Sequence, residues 1–112
     1  MDKTYPKIAL HLSDGIVFTH KSAILYAEAE GNYTHIFLTD NRRAKVLRKL
    51  KEVHDLLPDN NFIRVHRSYL LNLHHVVHFD KEGNETVVLT DGSTVPISRN
   101  RRSQFMEKFT KI

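Results

Sequence analysis

The residues with the most chemistry to offer in this sequence are arginines, which fall in two short runs, Arg64-Val65-His66-Arg67 and Arg99-Asn100-Arg101-Arg102. A guanidinium carries a planar fork of donors that fits a phosphate or the O6 and N7 atoms of guanine, and it keeps its charge throughout the working pH range. Arg64 and Arg67 stand at odd separation, so within a strand they point to opposite sides, and one of them could pair with Glu28 or Glu30 inside the fold. The second run follows Ser98, the expected N-cap of a closing helix. Cations oppose the dipole at a helix start, so their presence there makes sense if a phosphate occupies the junction, a solvated turn being the alternative.

Other constellations carry less. Histidine occurs 8 times, and His74-His75-Val76-Val77-His78 invites a metal reading, yet zinc needs three or four ligands converging at about 2.0–2.2 Å. An extended backbone puts His75 and His78 on opposite faces, so these are expected as surface residues holding no metal. No Ser, His and Asp stand in a nucleophile-elbow arrangement, and no glycine-rich phosphate loop is present. Neither an enzyme nor a cofactor is therefore expected. His66 and Asn72 are expected to fix the backbone by hydrogen bonds, and Tyr69 to lie in or near the core.

Composition supplies the frame for these residues. The 112 residues are 40% hydrophobic and 27% charged, as in a single soluble globular domain, and the absence of cysteine excludes disulfides and thiolate metal sites. Residues 1–7 read as a variable N-terminal extension to that domain. No apolar run approaches the roughly 20 residues that span a bilayer. The start Met1-Asp2-Lys3-Thr4 lacks the apolar core of a signal peptide, which points to the cytoplasm. Lys and Arg number 17 against 13 acids, a net charge of +4 that permits an anionic partner without requiring one. The basic residues are segregated, with Arg42, Arg43, Lys45, Arg48, Lys49 and Lys51 in one stretch and Arg99, Arg101, Arg102, Lys108 and Lys111 in another. Such clustering predicts a positive face or, more blandly, two solvated helix surfaces.

The elements that must position these groups are mostly strands. Ile8, Leu10 and Leu12 alternate with polar neighbours, and Ser13-Asp14-Gly15 turns the chain into a partner over Ile16 to Thr19. Ala23 to Ala29 is a further strand, broken by Gly31-Asn32 before Tyr33, His35 and Phe37 alternate with Thr34, Ile36 and Leu38. After Asp40-Asn41, the spacing of Leu47, Leu50, Val53 and Leu57 is helical until Pro58, turning Leu47, Leu50 and Val53 inward and its basic residues outward. Extended structure returns at Phe62, Ile63 and Val65. Strands over Val76 to Phe79, Thr86 to Thr90 and Thr94 to Ile97 follow, linked by turns at Glu82-Gly83-Asn84 and Asp91-Gly92. A last helix buries Phe105, Met106 and Phe109. The expected fold is mainly β with compact antiparallel sheets, one helix mid-chain and one at the C-terminus.

Four stretches, in order along the chain, carry a resemblance. They are Ile24-Leu25-Tyr26-Ala27-Glu28-Ala29-Glu30-Gly31-Asn32-Tyr33, the basic helix ending near Leu56-Leu57-Pro58, Asn61-Phe62-Ile63-Arg64-Val65-His66-Arg67-Ser68-Tyr69-Leu70-Leu71-Asn72-Leu73, and Val95-Pro96-Ile97-Ser98-Arg99. Together they resemble the LytTR-type DNA-binding domain, the output domain of many bacterial response regulators of the LytR/AlgR kind, over nearly the whole chain from about Ile8. The resemblance implies small antiparallel sheets whose loops, not a recognition helix, enter the major groove. By motif position it places DNA contacts on the loop from Gly31 to Thr34, on Arg67 and on Arg99. Asn32 and Thr34 are short enough to bond a base edge from a loop, and Asn100, Arg101, Arg102 and Lys45 are added as contacts to neighbouring phosphates. Lys49 is a further candidate for non-specific phosphate contact.

The resemblance also implies double-stranded DNA carrying paired repeats as the partner, with a homodimer forming on it. Response regulators carry a phospho-accepting receiver domain that 112 residues do not accommodate, so this is expected to be an excised output domain or a free-standing regulator. A protein-interaction or ligand-sensing module with a basic docking face is the reading from a different class. RNA binding ranks behind both, because it would want exposed aromatics on a sheet, whereas Tyr33, Phe37 and Phe79 alternate as core residues do.

Overall fold

A computed structural model describes residues 5–57, 60–82 and 85–112. The expected stop at Pro58, the Gly83-Asn84 turn and the Met1 to Thr4 start lie outside these. The chain opens with the hairpin β1 (Lys7–Leu12) and β2 (Gly15–His20), which forms a sheet of its own. A central five-stranded antiparallel sheet follows, built from β3 (Ile24–Glu30), β4 (Tyr33–Leu38), β5 (Arg43–Val46), β6 (Phe62–His66) and β7 (Tyr69–Asn72) in the order β5-β4-β3-β7-β6. The helix α1 (Leu50–Leu56) lies in sequence between β5 and β6. A three-stranded sheet of β8 (Val76–Asp80), β9 (Thr86–Leu89) and β10 (Thr94–Pro96) and the short α2 (Arg102–Met106) complete the fold.

Over β3, β7 and β6 the central sheet is buried on both faces, which is why these strands hold consecutive apolar residues. One face packs Ala27, Ile36, Ala44 and Leu70 against Leu10 of the hairpin and Leu50 and Val53 of α1. The other packs Leu25, Ile63, Val65 and Leu71 against Val87, Leu89 and Val95 of the smaller sheet and Phe105 of α2. Each Leu, Ile, Val or Phe side chain sealed in these clusters contributes on the order of 1.5–3 kcal/mol. Over β4 and β5 the second face stays open, and Tyr33, His35, Phe37, Arg43 and Lys45 stand on it.

Several expectations are corrected here. Residues 43–46 are strand, not helix, because Ala44 and Val46 alternate inward with Arg43 and Lys45 outward; α1 starts only at Leu50, and Leu47 is 68% exposed. On β4 the buried set is Thr34, Ile36 and Leu38, so Tyr33 is 40% exposed instead of sitting in the core. Both sets are largely apolar, and pairing with β5 decides between them. His75 is buried, bonding the Thr90 hydroxyl at 2.9 Å and the Ser22 carbonyl at 2.6 Å, and therefore ties three segments together. At the C-terminus, residues 99–101 form a 3-10 turn, α2 is one short turn and a half, and Phe109 is exposed while Phe105 is buried. Ser98 stands before that turn, but its hydroxyl caps no helix N–H.

Candidate nucleic-acid interface

Antiparallel pairing decides which loops meet. β3 runs towards Glu30, so the β3–β4 turn, the end of β5 paired beside Thr34, and the β6–β7 turn all lie at one end of the sheet. Five strands at about 4.8 Å spacing make that end a row about 19 Å across. The row carries Arg48 and Lys49 after β5, Asn32 between β3 and β4, and Arg67 and Ser68 between β6 and β7. The C-terminal segment joins it at the β6 side, where the Ser98 N–H donates to the Val65 carbonyl at 2.7 Å and the Ser98 hydroxyl does so at 3.3 Å. Arg67 and Arg99 are thereby drawn to the same end, both exposed.

Each loop is shaped by local chemistry. Gly31 and Asn32 form a two-residue hairpin connection between Glu30 and Tyr33 in which Gly31 has φ 59°, a backbone that an L side chain resists; Asn32 is left exposed at the tip. The Arg67-Ser68 connection has no positive φ, since Asn41 is the one non-glycine residue with that geometry among those described. It is held by two side chains and one backbone contact. His66 Nδ1 accepts from the Ser68 N–H at 3.1 Å, Ala29 N–H donates to the Ser68 carbonyl at 2.9 Å, and Arg64 donates to the carbonyls of His66 and Arg67. His66 also packs edge-on to Tyr69, whose hydroxyl donates to Glu28 at 3.1 Å. Neither Arg64 nor Arg67 pairs with Glu28 or Glu30. At the far end of β7, Asn72 donates to the Ile24 carbonyl at 2.8 Å and accepts from the His74 N–H at 3.0 Å.

Charge is distributed unevenly along the row. Arg42, Lys45, Arg48, Lys51 and Arg102 pair with Asp40, Glu30, Glu52, Asp55 and Glu85. Among the described residues Arg64, Arg67, Arg99 and Arg101 form no ion pair. Burial first, and then the neighbouring Arg101 guanidinium, lower the proton affinity of Arg64. Four guanidiniums left without an acid at one end of a molecule make a strong anion attractor.

Of the eight residues singled out in the sequence, Asn32, Arg67, Arg99 and Asn100 are exposed at this end, and Arg101 is half-buried beside Arg64. Lys45 is exposed on the open face, its ammonium 4.5 Å from the Tyr33 ring centre and 3.6 Å from Glu30. Thr34 does not sit on a loop. It is 0% exposed within β4, and its hydroxyl donates to the Arg48 carbonyl at 2.7 Å, so it holds the β5–α1 connection and has no atom free for a base. Arg102 donates to Glu85 at 2.8 Å and lies over the Phe79 ring, which fastens the C-terminal segment to the smaller sheet. Tyr33, within the expected contact loop, stands beside Asn32, Arg64 lies beneath the Arg67 turn, and Arg48 at the row's β5 end is a residue the sequence offered only as part of a basic stretch. The aromatic rings on the open face form no free stacking platform, since Phe37 stacks on Tyr26 at 4.3 Å and cations cover Phe37 and Tyr33.

Comparison with known proteins identifies the family and the fold. Residues 14–110 match the family model described as the LytTr DNA-binding domain. Sensory transduction protein LytT of Bacillus subtilis is 33% identical over 95 residues, which cover 83% of this chain and 39% of that protein. The CO-responsive transcriptional regulator RcoM of Rhodospirillum rubrum is 32% identical over 96 residues, covering 83% of this chain and 40% of that one. The chain thus spans about two fifths of the curated relatives it matches. Among solved structures, a LytTr DNA-binding domain of a Bacillus cereus response regulator superposes with TM-score 0.78 at 26% identity, covering 92% of this chain and 95% of that one.

Proposed function

The chain belongs to the LytTr DNA-binding domain family, and from that premise we propose that it is the sequence-reading output domain of a bacterial transcriptional regulator, gripping duplex DNA by the row of loops at one end of its central sheet. The observation that carries this reading is the gathering of Asn32, Arg67 and Arg99 at that end beside guanidiniums with no internal acid. A row about 19 Å across exceeds the roughly 12 Å width of the major groove. The stretch from Asn32 to the Arg67 turn and the adjoining Arg99 therefore enters the groove, while the β5 end with Arg48 and Lys49 on one side and Asn100 and Arg101 beyond β6 on the other meet the phosphates.

In this arrangement Arg67 and Arg99 offer forks to base edges, Asn32 reads the adjacent step, and Asn100, Arg101, Arg48, Lys49 and Lys45 meet phosphates. Thr34 and Arg102 position the loops. Tyr33, exposed next to Asn32, adds a phenol to the row. Two copies act on adjacent repeats as a homodimer on DNA, inside the cytoplasm, where the duplex is. No helix of the described residues is long and apolar enough to cross a membrane.

Selection of bound duplexes from a random pool, followed by affinity measured against salt, tests the proposal. Enriched paired sites and a log–log slope of about −0.9 per phosphate neutralised are expected. A pool that returns no consensus, or an affinity indifferent to salt, overturns it.

A further inference from the structure

Arg64 is the guanidinium of this end that turns inward. Its Nε donates to the His66 carbonyl at 3.4 Å and its Nη2 to the Arg67 carbonyl, so one planar fork bridges both carbonyls of the turn that presents Arg67. The turn needs such help for a specific reason. Two-residue connections between antiparallel strands are favoured when their central residues take positive φ, which matches the twist of the strands. Neither Arg67 nor Ser68 does so. The register also shifts between Arg64 and His66, where a bulge frees the Val65 carbonyl to accept from Ser98. An unfavoured turn and a bulge, side by side, are closed by the same side chain.

We infer that Arg64 is a positioning residue for DNA reading: its guanidinium locks the His66–Arg67 backbone so that the Arg67 side chain is held ready for one base edge. The inference rests on the reading that Arg67 contacts a base. Preorganisation of this kind acts on discrimination more than on general attraction, because a loosened Arg67 still meets phosphates but no longer arrives aligned with a base. Lysine at position 64 keeps the charge and loses the fork, so it separates alignment from electrostatics.

The test is a double-mutant cycle. Affinities of the unaltered protein, Arg64→Lys, Arg67→Ala and the double variant are measured on the selected duplex and on a random one, with thermal unfolding recorded for each. Arg64→Lys is expected to lower the selected-to-random ratio on the order of tenfold, with the salt slope unchanged, and to cost nothing further once Arg67 is alanine. Equal losses on both duplexes, a slope reduced by one phosphate, or additivity with Arg67→Ala would overturn the inference. If Arg67→Ala leaves the ratio unchanged, the base-reading premise falls and the inference with it; if Arg67→Ala lowers the ratio and Arg64→Lys does not, the inference alone falls. Nitrogen-15 NMR of the Arg64 Nε–H in the unaltered protein keeps the question open to disproof should a variant not fold. Slow solvent exchange that persists when duplex is added is expected, and loss of that protection on binding would show that the fork releases the turn and would overturn the inference.

Discussion

The Ser98 N–H donates to the Val65 carbonyl at 2.7 Å, and through that contact the last segment of the chain is fixed to the strand that leads into Arg67. Residues 33 positions apart in sequence thus place Arg67 and Arg99 on one end of the molecule. Two guanidiniums on separate segments can then act on one stretch of duplex, provided the sheet beneath them stays rigid.

If Arg67 reads a base, Arg67→Ala costs about 1–3 kcal/mol on the selected site and much less on random duplex. Fluorescence anisotropy with both duplexes measures the two losses. Equal losses would make Arg67 a phosphate contact.

Thr34→Val removes a buried hydroxyl while nearly keeping its shape, and leaves the Arg48 carbonyl without its 2.7 Å donor. A loss of about 1–3 kcal/mol of stability is expected from the unmet carbonyl. Binding to selected and random duplex should weaken together as Arg48 and Lys49 lose their placement. Thermal unfolding and the same anisotropy assay report both effects; a selective loss on the selected site would restore Thr34 as a base contact.

Glu30 accepts from His35 at 2.8 Å and lies 3.6 Å from Lys45. The His35 hydrogen bond first, then the charges of His35 and Lys45, hold its carboxyl below the usual 4.5. A carboxyl whose pKa is lowered by folding stabilises the fold above its unfolded value, and that contribution disappears as pH falls through the lower folded value. The unfolding midpoint should therefore drop more steeply below about pH 4.5 in the unaltered protein than in Glu30→Gln. The difference is small, because Glu30 is exposed, and should fade at high salt. Parallel curves at low salt would show that these contacts add nothing.

Much of the fold could be read directly from residue order. Ser13-Asp14-Gly15 and Gly31-Asn32 marked real hairpin turns, and the alternation of Ile8, Leu10 and Leu12 gave a strand with the right face inward. Two central-sheet strands escaped. β5 is four residues long and half basic, so its two-residue period merges with the helical spacing that follows. β7 is Tyr69-Leu70-Leu71-Asn72, an apolar run packed on both sides, which has no alternation to detect. The burial of Thr34 is hidden from residue order for a related reason: either face of β4 can pass for a core face until β5 and α1 choose one. The clustering of Arg67 with Arg99 was legible only through the family resemblance, because nothing local announces a contact between Val65 and Ser98.

Amide chemical-shift mapping by NMR, with the labelled protein titrated by the selected duplex at physiological salt, confronts the central claim most directly. Shifts are expected to concentrate at residues 31–33, 46–49, 64–68 and 98–102, leaving the exposed Ile16 and Phe18 of the first hairpin and the Asp40-Asn41 turn at the other end of the sheet unmoved. Shifts centred on that hairpin or on residues 39–42, with Arg67 and Arg99 silent, would contradict the account.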